Sequence, residues 1–320
     1  MTDVHLDSKT ADETLSGVAD RDALLARVNN DGVRRWIAEL QNVDSYDWAR
    51  LFPRTEGLGA GGDVKRRVKM LKAVEPRLER LLYPGERIEF ITSGVLNSWV
   101  EQYFLGVWSI TINQTVFLFT NFRIILLNSD SKKRAKAMMW QVPYHRLRKY
   151  GAGMFIGSVR LKLSGGKSYA FTRVPASDRK RLKEFMRDRL EQVRAGGEQF
   201  PCHVDRDPLC PTCCSPVPPK THVCPECDEE FITPLKPALM SLILPGLGDL
   251  YLGHTTIACF EMFGFVVLLF VAFTLASTGR PEEIVAAVGL VVIANCIDAA
   301  VTQYIASKGR VPTRMAWKGK

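Results

Sequence analysis

Histidine is scarce and scattered in this 320-residue chain, with five copies at His5, His145, His203, His222 and His254. There is no Gly-x-Ser-x-Gly elbow, no glycine-rich phosphate loop and no carboxylate pair in a soluble pocket motif. Without these signatures, enzyme activity is not expected. The N-terminal Met-Thr-Asp-Val-His-Leu-Asp has no apolar core, so no signal peptide is expected either. A chain that is not exported does not hold its eight cysteines as a disulfide framework, which leaves metal or buried thiols.

What is present is distributed unevenly. Residues 1–64 carry 7 Lys/Arg against 12 Asp/Glu, and residues 201–320 carry 9 against 11. Residues 65–200 carry 27 against 11, a net charge of +16. The basic charge therefore belongs to one middle module, which is the candidate for an anionic partner.

The organisation reads in six parts. Residues 1–64 form a disordered leader and a small helical region, in which Asn29 to Gly32 separates two short helices. Leu58 to Asp63 is a flexible glycine-rich joint, and the first 20 residues, rich in Asp, Ser and Thr, are the disordered part. Residues 65–195 begin with a basic helix whose stripe is Val68, Leu71, Val74, Leu78 and Leu81, kinked or split at Pro76. Short strands follow at Arg87–Thr92, Val107–Ile112, within Thr115–Leu127, and at Met138–Val142, Val159–Leu163 and Ser168–Thr172. A helix capped by Ser177 or Asp178 then runs to about Arg194, burying Leu182, Phe185, Met186, Leu190 and Val193. The remaining parts are residues 196–234, 235–253, 254–307 and 308–320. The fold class is multidomain α+β: a small β-barrel or sheet closed by a C-terminal helix, a zinc ribbon, and a two-span transmembrane hairpin.

Cys210-Pro-Thr-Cys213 and Cys224-Pro-Glu-Cys227 have the spacing of a tetrahedral zinc site. Four thiolates close the coordination sphere, so the zinc is structural rather than catalytic. The acidic residues after Cys224 argue against nucleic acid as a partner. Cys202 and Cys214 are spare thiols, while Cys259 and Cys296 lie in apolar surroundings.

Ile257–Ala276 and Ile284–Ile305 are each about 30 Å long as helices, the thickness of a bilayer core. The loop between them has one basic residue, Arg280, whereas the tail has Lys308, Arg310, Arg314, Lys318 and Lys320. The expectation is a multi-pass protein of the plasma (inner) membrane with both termini cytoplasmic. Residues 235–253 read as a short interfacial or re-entrant helix that turns at Gly246–Gly248. Glu261, Asn295 and Asp298 are polar groups inside the spans. They fit either an ion or proton site or a structural polar cluster with Thr302 or a backbone group. Two spans with no repeat and no pore-lining stripe favour the cluster.

Three stretches resemble known families. Leu82-Tyr-Pro-Gly85-Glu86 and Phe119-Thr-Asn-Phe-Arg123-Ile-Ile-Leu126 resemble the bacterial pleckstrin-homology and GRAM-like family, with Val142–Leu147 at the next strand end. Ser98–Leu105 departs from that family's usual hairpin. The resemblance implies a lipid- or protein-binding barrel closed by a helix. Lys132, Lys133, Arg134 and Lys136 in a loop, with Arg146, Arg148 and Lys149, are the candidate lipid contacts. A generic solvated basic surface is the alternative to a specific headgroup site. The knuckles resemble a zinc ribbon, with Cys214 and Asp228 where that family usually has glycine. Pro245-Gly246-x-Gly248, Tyr251-Leu-Gly253 and Asp298 resemble the TM-two family of two-span modules, with Asp249-Leu250 where a basic residue often stands.

Together these features imply a membrane-anchored, cytoplasm-facing adaptor that binds anionic inner-leaflet lipid or an unidentified partner protein. The alternative is an accessory subunit of a larger transport or envelope-assembly complex, with the hairpin as its interface.

Overall fold

The computed structural model describes residues 10–57, 59–97, 101–103, 106–130, 133, 135–152, 157–196 and 200–313. Helix α1 (Thr10–Arg27) begins ten residues ahead of the expected end of the leader. Its first turn reads Thr10-Ala-Asp-Glu13, the Thr-x-x-Glu pattern of a helix start. The two-helix break falls where the sequence places it, since Asn30 caps α2 (Asp31–Ala38) by accepting from the Val33 N–H. A short helix α3 (Trp48–Leu51) follows, with Trp48 and Leu51 buried.

Two expectations fail in α4 (Ala60–Leu81). The glycine joint is already helical from Ala60, entered through a left-handed Gly59, and the helix is not split at Pro76, which lies inside it. Proline removes one backbone donor, but Val64, Val68, Leu71, Val74, Leu78 and Leu81 are buried on both sides of it. That continuous apolar stripe outweighs the lost bond.

The strands are β1 (Ile88–Asn97), β2 (Gln114–Thr120), β3 (Arg123–Ser129), β4 (Ala135–Pro143), β5 (Leu147–Ala152), β6 (Val159–Leu163), β7 (Ser168–Thr172) and β8 (Asp207–Leu209). Among the described residues they form one open sheet in the order β5-β6-β7-β1-β2-β3-β4-β8, not a shown barrel. The β2–β3 hairpin pairs Thr115 with Asn128 through Phe119 with Ile124. Every residue of β3 is buried, which explains why its sequence is a continuous apolar run rather than an alternation. Val107–Ile112, expected as a strand, is instead helix α5 (Trp108–Ile112). Gly106 has φ +50° and its carbonyl accepts from the Ser109 N–H and hydroxyl, closing a turn that an extended strand does not allow.

Helix α6 (Ala176–Arg194) buries Leu182, Met186 and Leu190. Phe185 packs on Phe90 and Phe119 at ring distances of 6.1 and 5.8 Å. No side chain caps its N-terminus. Asp178, expected as a possible cap, is fully buried and accepts from Arg66 and Arg67 at 2.9 Å and from the Thr92 hydroxyl at 2.8 Å. Two guanidinium groups, one of them buried, around a fully buried carboxylate bind it more strongly than the orphan N–H groups of a solvated helix end.

A second buried ion pair closes the start of the sheet. The Arg123 guanidinium bonds both carboxylate oxygens of Glu86 at 2.9 Å, and both side chains are 0% exposed.

Backbone contacts divide the described chain into two units: residues 1–98, 110–136 and 140–207, and residues 99–109, 137–139 and 208–320. The second contains α7 (Leu235–Ile243), α8 (Leu247–Tyr251), α9 (Thr255–Ala276) and α10 (Pro281–Ser307). Helices α9 and α10 are long and apolar enough to cross a membrane. They cover both expected spans and extend past each.

Candidate functional site

The four knuckle cysteines converge. Cys210 Sγ lies 3.7 Å from Cys227 Sγ, and Cys213 Sγ lies 3.5 Å from Cys224 Sγ. All four sulfurs fall within 4.8 Å of one another, so the group has the geometry to hold a metal ion. A tetrahedron with bonds of about 2.3 Å sets its sulfurs about 3.8 Å apart, and the donor set fits that spacing. Each knuckle is shaped by its backbone: Cys214 N–H returns to the Cys210 carbonyl at 2.9 Å, and Asp228 N–H to the Cys224 carbonyl at 3.0 Å. Cys214 and Asp228 adopt φ of +63° and +54°, the left-handed region that glycine enters most easily. The two positions where the sequence lacks glycine are therefore strained but occupied. Val217 and Phe231 pack against the cysteines, with Cys210 and Cys224 buried.

In the helical part of the second unit, carboxylate oxygens of Asp249, Glu261 and Asp298 lie within 4.8 Å of one another. Asp298 accepts from the Gly246 N–H at 3.1 Å. Asp249 accepts from the Thr302 hydroxyl at 3.1 Å and sits 3.0 Å from His254 Nδ1. Thr302 in turn meets Ser241 Oγ at 3.1 Å. The sequence names Glu261, Asp298 and Thr302. It does not name Asp249, which there marks only a departure from a family's basic residue. Its signal is its place one residue after the Pro-Gly-x-Gly turn that aims α8 at the two long helices. Asn295 does not join the carboxylates and instead donates to the Leu242 carbonyl at 3.0 Å.

The turn residues explain how the backbones come so close. A Cβ on Gly248 would sit 2.2 Å from the Pro237 carbonyl oxygen and 2.6 Å from Ser241 Oγ. Gly246, with φ +83°, would meet the Ala258 carbonyl at 2.7 Å. Pro245 precedes that turn, and Gly253 repeats the left-handed geometry at φ +83°. Tyr251 is buried against Ile232, with the Lys236 ammonium 5.1 Å from its ring.

The seven cations named as lipid contacts separate into groups. Lys132 and Arg134 lie outside the described residues. Lys133 turns inward to donate to Gln114 Oε1 at 3.2 Å, and burial pushes its pKa down. Lys136 is half-buried, and burial lowers its pKa too. Arg146 is engaged by Cys202 Sγ at 3.3 Å, beside His145 Nε2, which is 3.6 Å from the same sulfur. Arg148 and Lys149 alone stand exposed, on β5 and facing a groove it shares with α6. Cysteines 259 and 296 are exposed on the apolar helices.

Comparison of the chain with protein-family models finds no match, and comparison with curated proteins finds no significant match.

Proposed function

We propose that this chain is a membrane-anchored, cytoplasm-facing adaptor. Its basic mixed α/β region engages anionic lipid or a partner protein, and its two apolar helices are transmembrane spans. The observation that carries this reading is the surface of those helices. Phe263, Phe270, Phe273 and Val285 are 69–73% exposed on elements long enough to span a bilayer. Large apolar side chains left open along two helices are the pattern that lipid covers and water does not. The net charge of +16 in residues 65–200 supplies the attraction to an anionic leaflet, at about 1 kcal/mol per nearby cation. The cysteine geometry supports a structural zinc ion, and reduced thiols support a cytoplasmic face. These features agree with the resemblance to pleckstrin/GRAM-like, zinc-ribbon and TM-two-like modules.

The test uses the full chain in nanodiscs carrying photo-reactive phosphatidylglycerol or phosphatidylcholine. Cross-links to residues 65–200 that favour the anionic lipid several-fold support the reading, and equal labelling overturns it. One observation favours the alternative, an accessory subunit of a transport or assembly complex: the three converging carboxylates give the hairpin a polar feature that simple anchoring does not require.

A further inference from the structure

The groove between β5 and α6 has a volume of 460 Å³, within the range of small-ligand sites. Arg148 and Lys149 line it from the strand. Lys180, Lys183, Arg187 and Arg194 line it from the helix, spaced three, four and seven residues apart on one face, over about 21 Å. Glu184 and Glu191 are the only acidic side chains lining it, so cations outnumber anions six to two. Arg187 is bonded to its neighbour Asp188. No ion pair involves Arg148, Lys149, Lys180, Lys183 or Arg194 among the described residues. Tyr150 lines the same groove, and its hydroxyl is buried without a hydrogen-bond partner among the described residues. Burial pushes its pKa up, so it remains an O–H donor. Among the described residues β5 is an end strand of the sheet, with no further strand on its outer edge.

We infer that the β5–α6 groove is a phosphate-binding site, in which Arg148, Lys149 and the Lys180/Lys183 pair hold the phosphoryl charge and Tyr150 donates to one oxygen. The inference deepens the lipid-binding reading above and rests on it. It moves the contact away from the loop of Lys132–Lys136, whose described members turn inward. A phosphorylated lipid headgroup and a free phosphate present the same chemistry. A cationic groove of headgroup size with an unfilled O–H donor favours such a ligand over an extended acidic peptide, which would instead pair along the β5 edge.

The experiment titrates the full chain, in neutral detergent, with inorganic pyrophosphate, with soluble dihexanoyl phosphatidic acid and with a polyglutamate peptide, by calorimetry. The groove variant is Arg148→Gln/Lys149→Gln/Lys183→Gln, the loop variant is Lys132→Gln/Lys133→Gln/Lys136→Gln, and the third is Tyr150→Phe. The three cations changed in the groove variant are exposed, and unchanged melting temperatures confirm intact folding. The expected result is about a 100-fold rise in Kd for the groove variant, at roughly five-fold per charge. Tyr150→Phe raises Kd about two- to ten-fold, and the loop variant changes it less than two-fold. Binding of the phosphatidic acid but not pyrophosphate assigns a lipid source, and binding of both assigns the phosphoryl group itself. Loss in the loop variant with binding intact in the groove variant overturns the site but leaves the lipid-binding reading standing. Binding of neither phosphate ligand by the unaltered chain overturns both, and groove-dependent binding of polyglutamate alone replaces the phosphate assignment.

Discussion

Removing Arg123 should break a fully buried ion-pair network in the mixed α/β region. Its guanidinium makes a two-pronged bond to Glu86, donates to the Leu81 carbonyl at 2.6 Å and to Gln141 Oε1, and lies 4.6 and 4.9 Å from the rings of Tyr83 and Phe200. In Arg123→Met the Glu86 carboxylate keeps only the Thr120 hydroxyl at 2.7 Å and the Tyr83 N–H at 3.0 Å. The Leu81 carbonyl loses that donor in a site without water. An uncompensated buried charge of this kind costs about 3–5 kcal/mol. With a urea m-value of about 2 kcal/mol/M, the midpoint falls by roughly 1.5–2.5 M. The assay is urea unfolding of the full chain in detergent, followed by tryptophan fluorescence. In the double variant Arg123→Met/Glu86→Met the buried charge is gone, so the coupling between the two sites should exceed about 2 kcal/mol. A single-variant cost below 1 kcal/mol, or costs that simply add, would refute the argument that this pair is a desolvated unit.

If the four-cysteine cluster holds zinc as proposed, Cys210→Ser should reduce bound zinc from one equivalent per chain to near zero by elemental analysis, while Cys214→Gly keeps the metal. Relief of the left-handed strain makes Cys214→Gly more stable by about 1 kcal/mol in a thermal melt. Gly248→Ala, which forces a Cβ onto the Pro237 carbonyl, should lower the yield of monodisperse protein sharply. Gly264→Ala, with open space around it, should not, as size-exclusion profiles will report. Asp298→Asn keeps an acceptor for the Gly246 N–H but removes a charge. Unchanged co-purifying partners support the adaptor reading, and lost partners support the subunit reading.

Periodicity carried much of the fold: the stripes of α4 and α6 are visible because one buried face repeats at helical spacing, and the two long helices because their apolar runs are long and nearly uninterrupted. A split at Pro76 and a strand at Val107–Ile112 are not found, because local propensity was weighed without the packing and turn bonds that decide those segments. The knuckles were legible because metal ligands need fixed spacing along the chain. Asp249 was not, because its meeting with Glu261 and Asp298 is made by the packing of three separate helices, α8, α9 and α10. The same limit hid the β5–α6 groove. Arg148 and Lys149 were named, but nothing in the sequence places Lys180 and Lys183 beside β5.

The most direct test of the central claim is amide hydrogen exchange on the full chain in nanodiscs, with and without 30% phosphatidylglycerol. The account predicts added protection within residues 65–200 in the anionic discs, including 147–152 and 176–194, and its loss in 0.5 M salt. Identical exchange in both lipids would contradict it.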